Sequence, residues 1–113
     1  MSLLETLKTT IVALNIPCET TVYSGKAPDK YTVLTPMDDL YKLHADNTPG
    51  VNVEEVRVSL YAKGNYLSTK VAIESAILSA GLTITARKYI GREDDTGYNH
   101  LAIDVADYSQ IQN

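Results

Sequence analysis

The sequence contains no phenylalanine, no tryptophan, one cysteine and two histidines, and only 10 of its 113 residues are Lys or Arg. Each shortage closes off a class of function. A lone cysteine, Cys18, excludes an internal disulfide and any metal site built from several thiolates, which fits a reducing compartment. Cys18 follows Pro17 at the start of a predicted strand and is expected to be a small buried filler rather than a nucleophile. The 14 Asp and Glu outnumber the basic residues, giving a formal charge of -4 and a pI near 5.0. That is the wrong sign for gripping duplex nucleic acid across a broad basic face, so no direct nucleic-acid partner is expected. No apolar run approaches the ~20 residues that span a bilayer, and the start lacks a basic segment followed by an apolar one. No membrane partner is expected, and the protein is expected to be made in the cytoplasm.

The inventory for catalysis is equally thin. His44 stands near Asp46, and His100 falls on a strand where alternation with Leu101, Ile103 and Val105 turns it away from the apolar face. No Gly-x-Ser-x-Gly elbow, phosphate-cradling glycine loop or His-x-x-x-His pair accompanies them. Glu93-Asp94-Asp95 lacks the alternation of an EF-hand loop and reads as a charged, solvated tip suited to matching a basic surface. No catalytic residue, metal or cofactor is expected.

What is present is one small α+β domain spanning residues 1–113, without repeats, low complexity or an internal boundary. Ser2 and Glu5 form a capping-box pattern, and Leu3, Leu7, Ile11 and Leu14 make one apolar stripe until Asn15-Ile16-Pro17 ends the helix. Strands are predicted over 17–24 and 31–35, the second closed by Pro36, and Met37 to Asn52 reads as a long polar connection that orders against a partner. Val56, Val58 and Leu60 alternate with Arg57, Ser59 and Tyr61 in a half-buried strand. A helix follows from about Asn65 to Ala80, capped by Gly81, and strands over 82–90 and 98–107 flank the loop Gly91 to Gly97. The sum is an antiparallel-rich sheet of four to five strands carrying two helices, in the order α-β-β-β-α-β-β.

The second helix has two apolar stripes, Leu67/Val71/Leu78 and Tyr66/Ile73/Ile77, with Lys70 and Glu74 between them. Its remaining side, Ser68, Ala72, Ser75, Ala76 and Ser79, carries no charge. Close packing against a neighbouring subunit and simple exposure or packing on the sheet both account for that side. The 8 tyrosines, among them Tyr23, Tyr31, Tyr61 and Tyr66, suit either an interface or the rim of a small core.

The order of short motifs carries more. A capped helix leads to Val22-Tyr23-Ser24-Gly25, then Pro28 to Leu34, Ala45-Asp46-Asn47, a strand entering Tyr61-Ala62-Lys63-Gly64-Asn65-Tyr66, a helix ending Ala80-Gly81-Leu82, and Glu93 to His100. Over nearly the whole chain this resembles the tail-terminator, or tail-completion, proteins of long-tailed phages and prophages. Leu34-Thr35-Pro36-Met37 departs from the aromatic-rich strand end more usual there. The resemblance implies a structural, non-enzymatic subunit of the virion, assembled in the host bacterial cytoplasm. It implies self-association in a ring, typically hexameric, that caps the tail tube and joins it to the head, with the tail-tube protein and a head-neck connector protein as partners. The candidate interface residues are Asp46, Asn47, Arg57, Tyr61, Lys63, Asn65, Tyr66, Ala72, Ser75, Ser79, Glu93, Asp94, Asp95 and His100. A neck or head-completion adaptor, and a small ligand-binding or enzymatic domain using His44, Asp46 and His100, are the alternatives.

Overall fold

The computed structural model describes residues 2–20, 25–43 and 49–110. Helix α1 (Leu3–Val12) begins at Ser2, whose Oγ accepts the Glu5 N–H at 3.2 Å and donates to Glu5 Oε1 at 3.0 Å. The expected cap is present, with Glu5 meeting the Ser2 hydroxyl. Glu54 Oε2, from a strand later in the chain, accepts the Leu3 N–H at 3.3 Å, placing a carboxylate at the positive end of the helix. Leu3, Leu7 and Ile11 are almost wholly buried, and Asn15, at φ 62°, turns the chain out of the helix in the left-handed conformation that asparagine tolerates better than most residues.

Five strands follow: β1 (Cys18–Thr20), β2 (Lys30–Leu43), β3 (Pro49–Lys63), β4 (Thr83–Arg92) and β5 (Tyr98–Gln110), with α2 (Leu67–Ser79) between β3 and β4. The sheet order is β1-β2-β3-β5-β4, antiparallel throughout except for β1, which runs parallel to β2. The element order and the antiparallel bias agree with the sequence analysis. Both helices lie on one face. Leu3, Leu7 and Ile11 of α1 and Ile73 and Ile77 of α2 meet Leu34, Val58, Leu60, Leu101, Ile103 and Val105 of the sheet in a single core. Burial of each such aliphatic side chain stabilises the fold by roughly 1.5–3 kcal/mol.

Two expectations are corrected. Pro36 does not close its strand: β2 runs on to Leu43, with Pro36 paired to Val56. Among the described residues β1 pairs with β2 only as far as Leu34, so no described strand pairs with Pro36 on the outer side of β2, and the ladder shifts register immediately after it. Edges and bulges are where a strand accepts a residue without an N–H. Within the expected connection from Met37 to Asn52, residues 37–43 and 49–52 are likewise strand rather than loop, since β2 runs to Leu43 and β3 starts at Pro49 and pairs with both β2 and β5. Ladder hydrogen bonds on both sides of β3 outweigh the weak strand propensity of Asp38-Asp39 and Asn52. Residues 44–48, with the candidate residues His44, Asp46 and Asn47, lie outside the described residues, as do Thr21 to Ser24 at the end of the first predicted strand. The long hairpin gives the molecule its extents of 53 × 25 × 25 Å.

Candidate protein-protein interface

The sheet face away from the helices is organised in cross-strand rows. Tyr31, Tyr61 and His100 stand in register on β2, β3 and β5, with Gly91 of β4 next in the row. Tyr31 stacks on Tyr61 at 4.9 Å between ring centroids, and Tyr61 on His100 at 4.3 Å. Tyr98 meets Tyr31 and Tyr61 edge-on and donates its hydroxyl to the Pro28 carbonyl, while Lys63 Nζ lies 4.9 Å from the Tyr98 ring centre. Such stacked and edge-on pairs each add about 0.5–1.5 kcal/mol beyond area burial. Burial pushes the His100 pKa below its ordinary value; the Glu93 carboxylate partly opposes this and Arg57 adds to it. Its Nε2 is enclosed without a hydrogen-bond partner among the described residues, an arrangement suited to the neutral ring.

Further along the same face, Arg57 Nε and Nη2 donate to the two carboxylate oxygens of Asp104 at 2.7 and 3.1 Å. The pairing raises the Arg57 pKa, first through the hydrogen bond and then through the opposite charge. The row between holds Val33, Ser59 and Ala102, all buried. Arg57, Tyr61 and His100 are therefore brought onto one face, each engaged with a neighbour within its own chain.

A different surface forms around α2 and β4. Asn65 Oδ1 accepts the Leu67 N–H at 3.0 Å and starts α2, Tyr66 stacks on Tyr89 at 5.8 Å, and the Tyr89 hydroxyl donates to Asn99 Oδ1 at 2.8 Å. Asn99 Nδ2 in turn donates to the carbonyls of Ala62 and Gly64, tying β5 to the turn before α2. Of the two apolar stripes on α2, Ile73 and Ile77 are fully buried, whereas Leu67, Val71 and Leu78 remain 56–58% exposed. Ser75 and Ser79 are exposed beside them and Ala72 is half-buried. The outward side of α2 is thus broader and more apolar than the serine-alanine side singled out from the sequence. Tyr89 and Ile90 on β4, the last strand of the sheet, are also half exposed. Their signal was available: a single sheet can bury only one of two apolar stripes.

Between α2 and β4 runs a shallow groove of about 150 Å³, whose lining includes Tyr66, Leu67, Lys70, Arg87, Lys88 and Tyr89. Lys70 and Arg87 share one carboxylate, Glu74, at 3.7 and 3.6 Å. Among the described residues Lys88 and Arg92 have no ion-pair partner. Glu93, Asp94 and Asp95 project at the tip joining β4 to β5, all exposed, with Glu93 accepting the Thr96 hydroxyl at 3.0 Å. Lys63 Nζ stands 4.0 Å from Asp29. The described candidate residues thus fall into three groups: the open sheet face, the α2–β4 surface and the acidic tip. Among the described residues no group of three or more His, Cys, Asp or Glu is arranged to hold a metal ion.

No family model matches the sequence, and no curated protein matches it. The fold is nevertheless shared with a solved structure, a chain from the virion of a native gene transfer agent particle. The two superpose with a TM-score of 0.67 at 15% sequence identity, over 97% of this chain and 96% of that one. At that identity the likeness is one of fold, and it extends over nearly the whole of both chains.

Proposed function

We propose that this chain is a structural subunit of a phage-like virion, and specifically a tail-terminator or tail-completion protein. It acts by forming a ring, typically a hexamer, that caps the tail tube and joins it to the head. The observation that carries this reading is the end-to-end match of fold to a chain of the gene transfer agent virion, and the sequence resemblance to tail terminators points the same way. The exposed apolar side of α2 is a second support, because a surface of this kind marks a site of association. On this reading the protein has no catalytic role and its partners are copies of itself, the tail-tube protein and the head-neck connector.

A terminator stops a polymer by presenting a tube-compatible surface on one side only. Ring closure needs a heterologous contact, in which one patch meets a different patch on the next copy. The test is imaging of particles made without this product. Overlong tails that lack heads are the expected result. Tails of normal length, with the product co-purifying with the connector protein but not with the tube protein, would instead make it a neck or head-completion adaptor.

A further inference from the structure

We propose that the two ends of the sheet are the two halves of one joint: the outer edge of β4 pairs antiparallel with the outer edge of β1 in a second copy of this chain, so that the sheet runs on from subunit to subunit. The inference rests on the ring reading above and names the surfaces that build it.

Three features of the sheet carry it: free edges, direction and register. β1 and β4 end the sheet, and among the described residues neither has a strand on its outer side. An unpaired edge offers a row of N–H and C=O groups to another chain. β1 runs with β2, whereas β3 and β4 run against it, so copies repeated side by side with their helices on one face set β4 antiparallel to the next β1. The cross-strand rows that begin at Cys18, Glu19 and Thr20 end at Tyr89, Lys88 and Arg87. Those three residues fall in the stretch 86–89, between the two register shifts of β4, so the regular part of one edge lies level with the other.

Charge selects the same pairing. Glu19 and Lys88 stand on the open face at opposite ends of one row, and neither has an ion-pair partner among the described residues. Every charged residue of β4 is basic, and Glu19 is the one charge on β1. Two β4 edges, or two β1 edges, would set like charges against each other, whereas unlike edges bring Lys88 to Glu19. Strand tilt staggers the joints of a closed sheet. A stagger of two residues puts Ala86 opposite Glu19 and leaves Lys88 as its diagonal neighbour, still within reach of a long side chain. The contact joins unlike patches, and its repetition closes a ring where the rotation allows.

The experiment uses the full-length chain. Within one copy Glu19 and Lys88 are four strand spacings apart, roughly 19 Å, far beyond the ~4 Å between the Cβ atoms of a disulfide. A disulfide between these positions therefore forms only between copies. E19C/K88C and E19C/A86C, each in a C18S background, are oxidised and separated under denaturing, non-reducing conditions, with folding checked by circular dichroism. At least one pair is expected to give a covalent ladder ending at the ring number, and each single cysteine no more than a dimer. In native mass spectrometry E19K and K88E are each expected to weaken assembly about threefold or more per joint, and the charge-swapped chain E19K/K88E to regain it. Rings that form without a cross-link from either pair, or a charge-swapped chain that assembles no better than the single variants, would overturn the edge-to-edge joint while leaving the ring reading in place. A wild type that stays monomeric at every concentration would overturn both.

Discussion

Tyr61 lies flat against His100, with ring centroids 4.3 Å apart and planes within 17°, on directly paired residues of neighbouring strands. This contact joins the middle of the sheet to its outer half. Gly91 sits opposite His100 on the other side, at φ 152°, so no side chain of β4 covers the ring in that row.

The enclosure of His100 makes stability depend on pH. Burial lowers its folded-state pKa below that of the unfolded chain, which stands near 6.5. As pH falls below about 6.5 the unfolded state takes up the proton first, so the stabilisation is complete above that pH and declines beneath it until the folded-state pKa is passed. Urea denaturation across pH 5–8 is expected to show this decline in the wild type and a smaller one in H100F. Identical pH profiles for the two chains would contradict the assignment.

Stability should separate the two apolar stripes of α2. Ile73→Ala, at a fully buried position, is expected to cost about 2–5 kcal/mol. Leu67→Ser and Leu78→Ser, at exposed positions, should change stability by no more than about 0.5 kcal/mol while weakening association. Chemical denaturation of the dissociated chains, paired with a sizing measurement, checks both halves.

Arg57→Ala leaves the largely enclosed Asp104 carboxylate without its bidentate partner. The expected loss is about 1–2 kcal/mol, held below that of a fully buried pair because a third of the Arg57 side chain meets water. A double-mutant cycle with Asp104→Asn should return a coupling of the same sign, and additive losses would show that the pair contributes nothing of its own.

Cys18 is buried, and burial pushes its thiol pKa up, with the Thr32 hydrogen bond and the charge of Lys8 partly opposing. Thiol-specific labelling at pH 8 is expected to be many-fold slower in the native protein than in urea. Equal rates in both would contradict burial of the sulfur.

Much of the fold was legible in local pattern. The Leu3/Leu7/Ile11 stripe, the alternation around Val58 and the Gly81 cap at φ 82° are short-range signals, and all correspond to what formed. The hairpin through Pro36, Asp38 and Asp39 was illegible because its strands are held by ladder pairing to β3, and of β3 to β5, which the residues themselves do not encode. The same limit applied to the surface. That α2 carries an uncharged side was readable, but which apolar stripe faced outward depended on where the sheet lay. Alternation placed Arg57, Tyr61 and His100 on the polar side of their strands, and only the register showed that they engage neighbours within the chain.

The central claim is that this chain works by meeting copies of itself and other proteins of the particle. Native mass spectrometry of the wild-type chain over a hundredfold range of concentration, alone and with tail-tube protein, tests it most directly. A single closed ring, hexameric or of another fixed number, that persists on dilution and binds the tube protein is the predicted result. A chain that remains a monomer throughout and binds no tube protein would contradict the account.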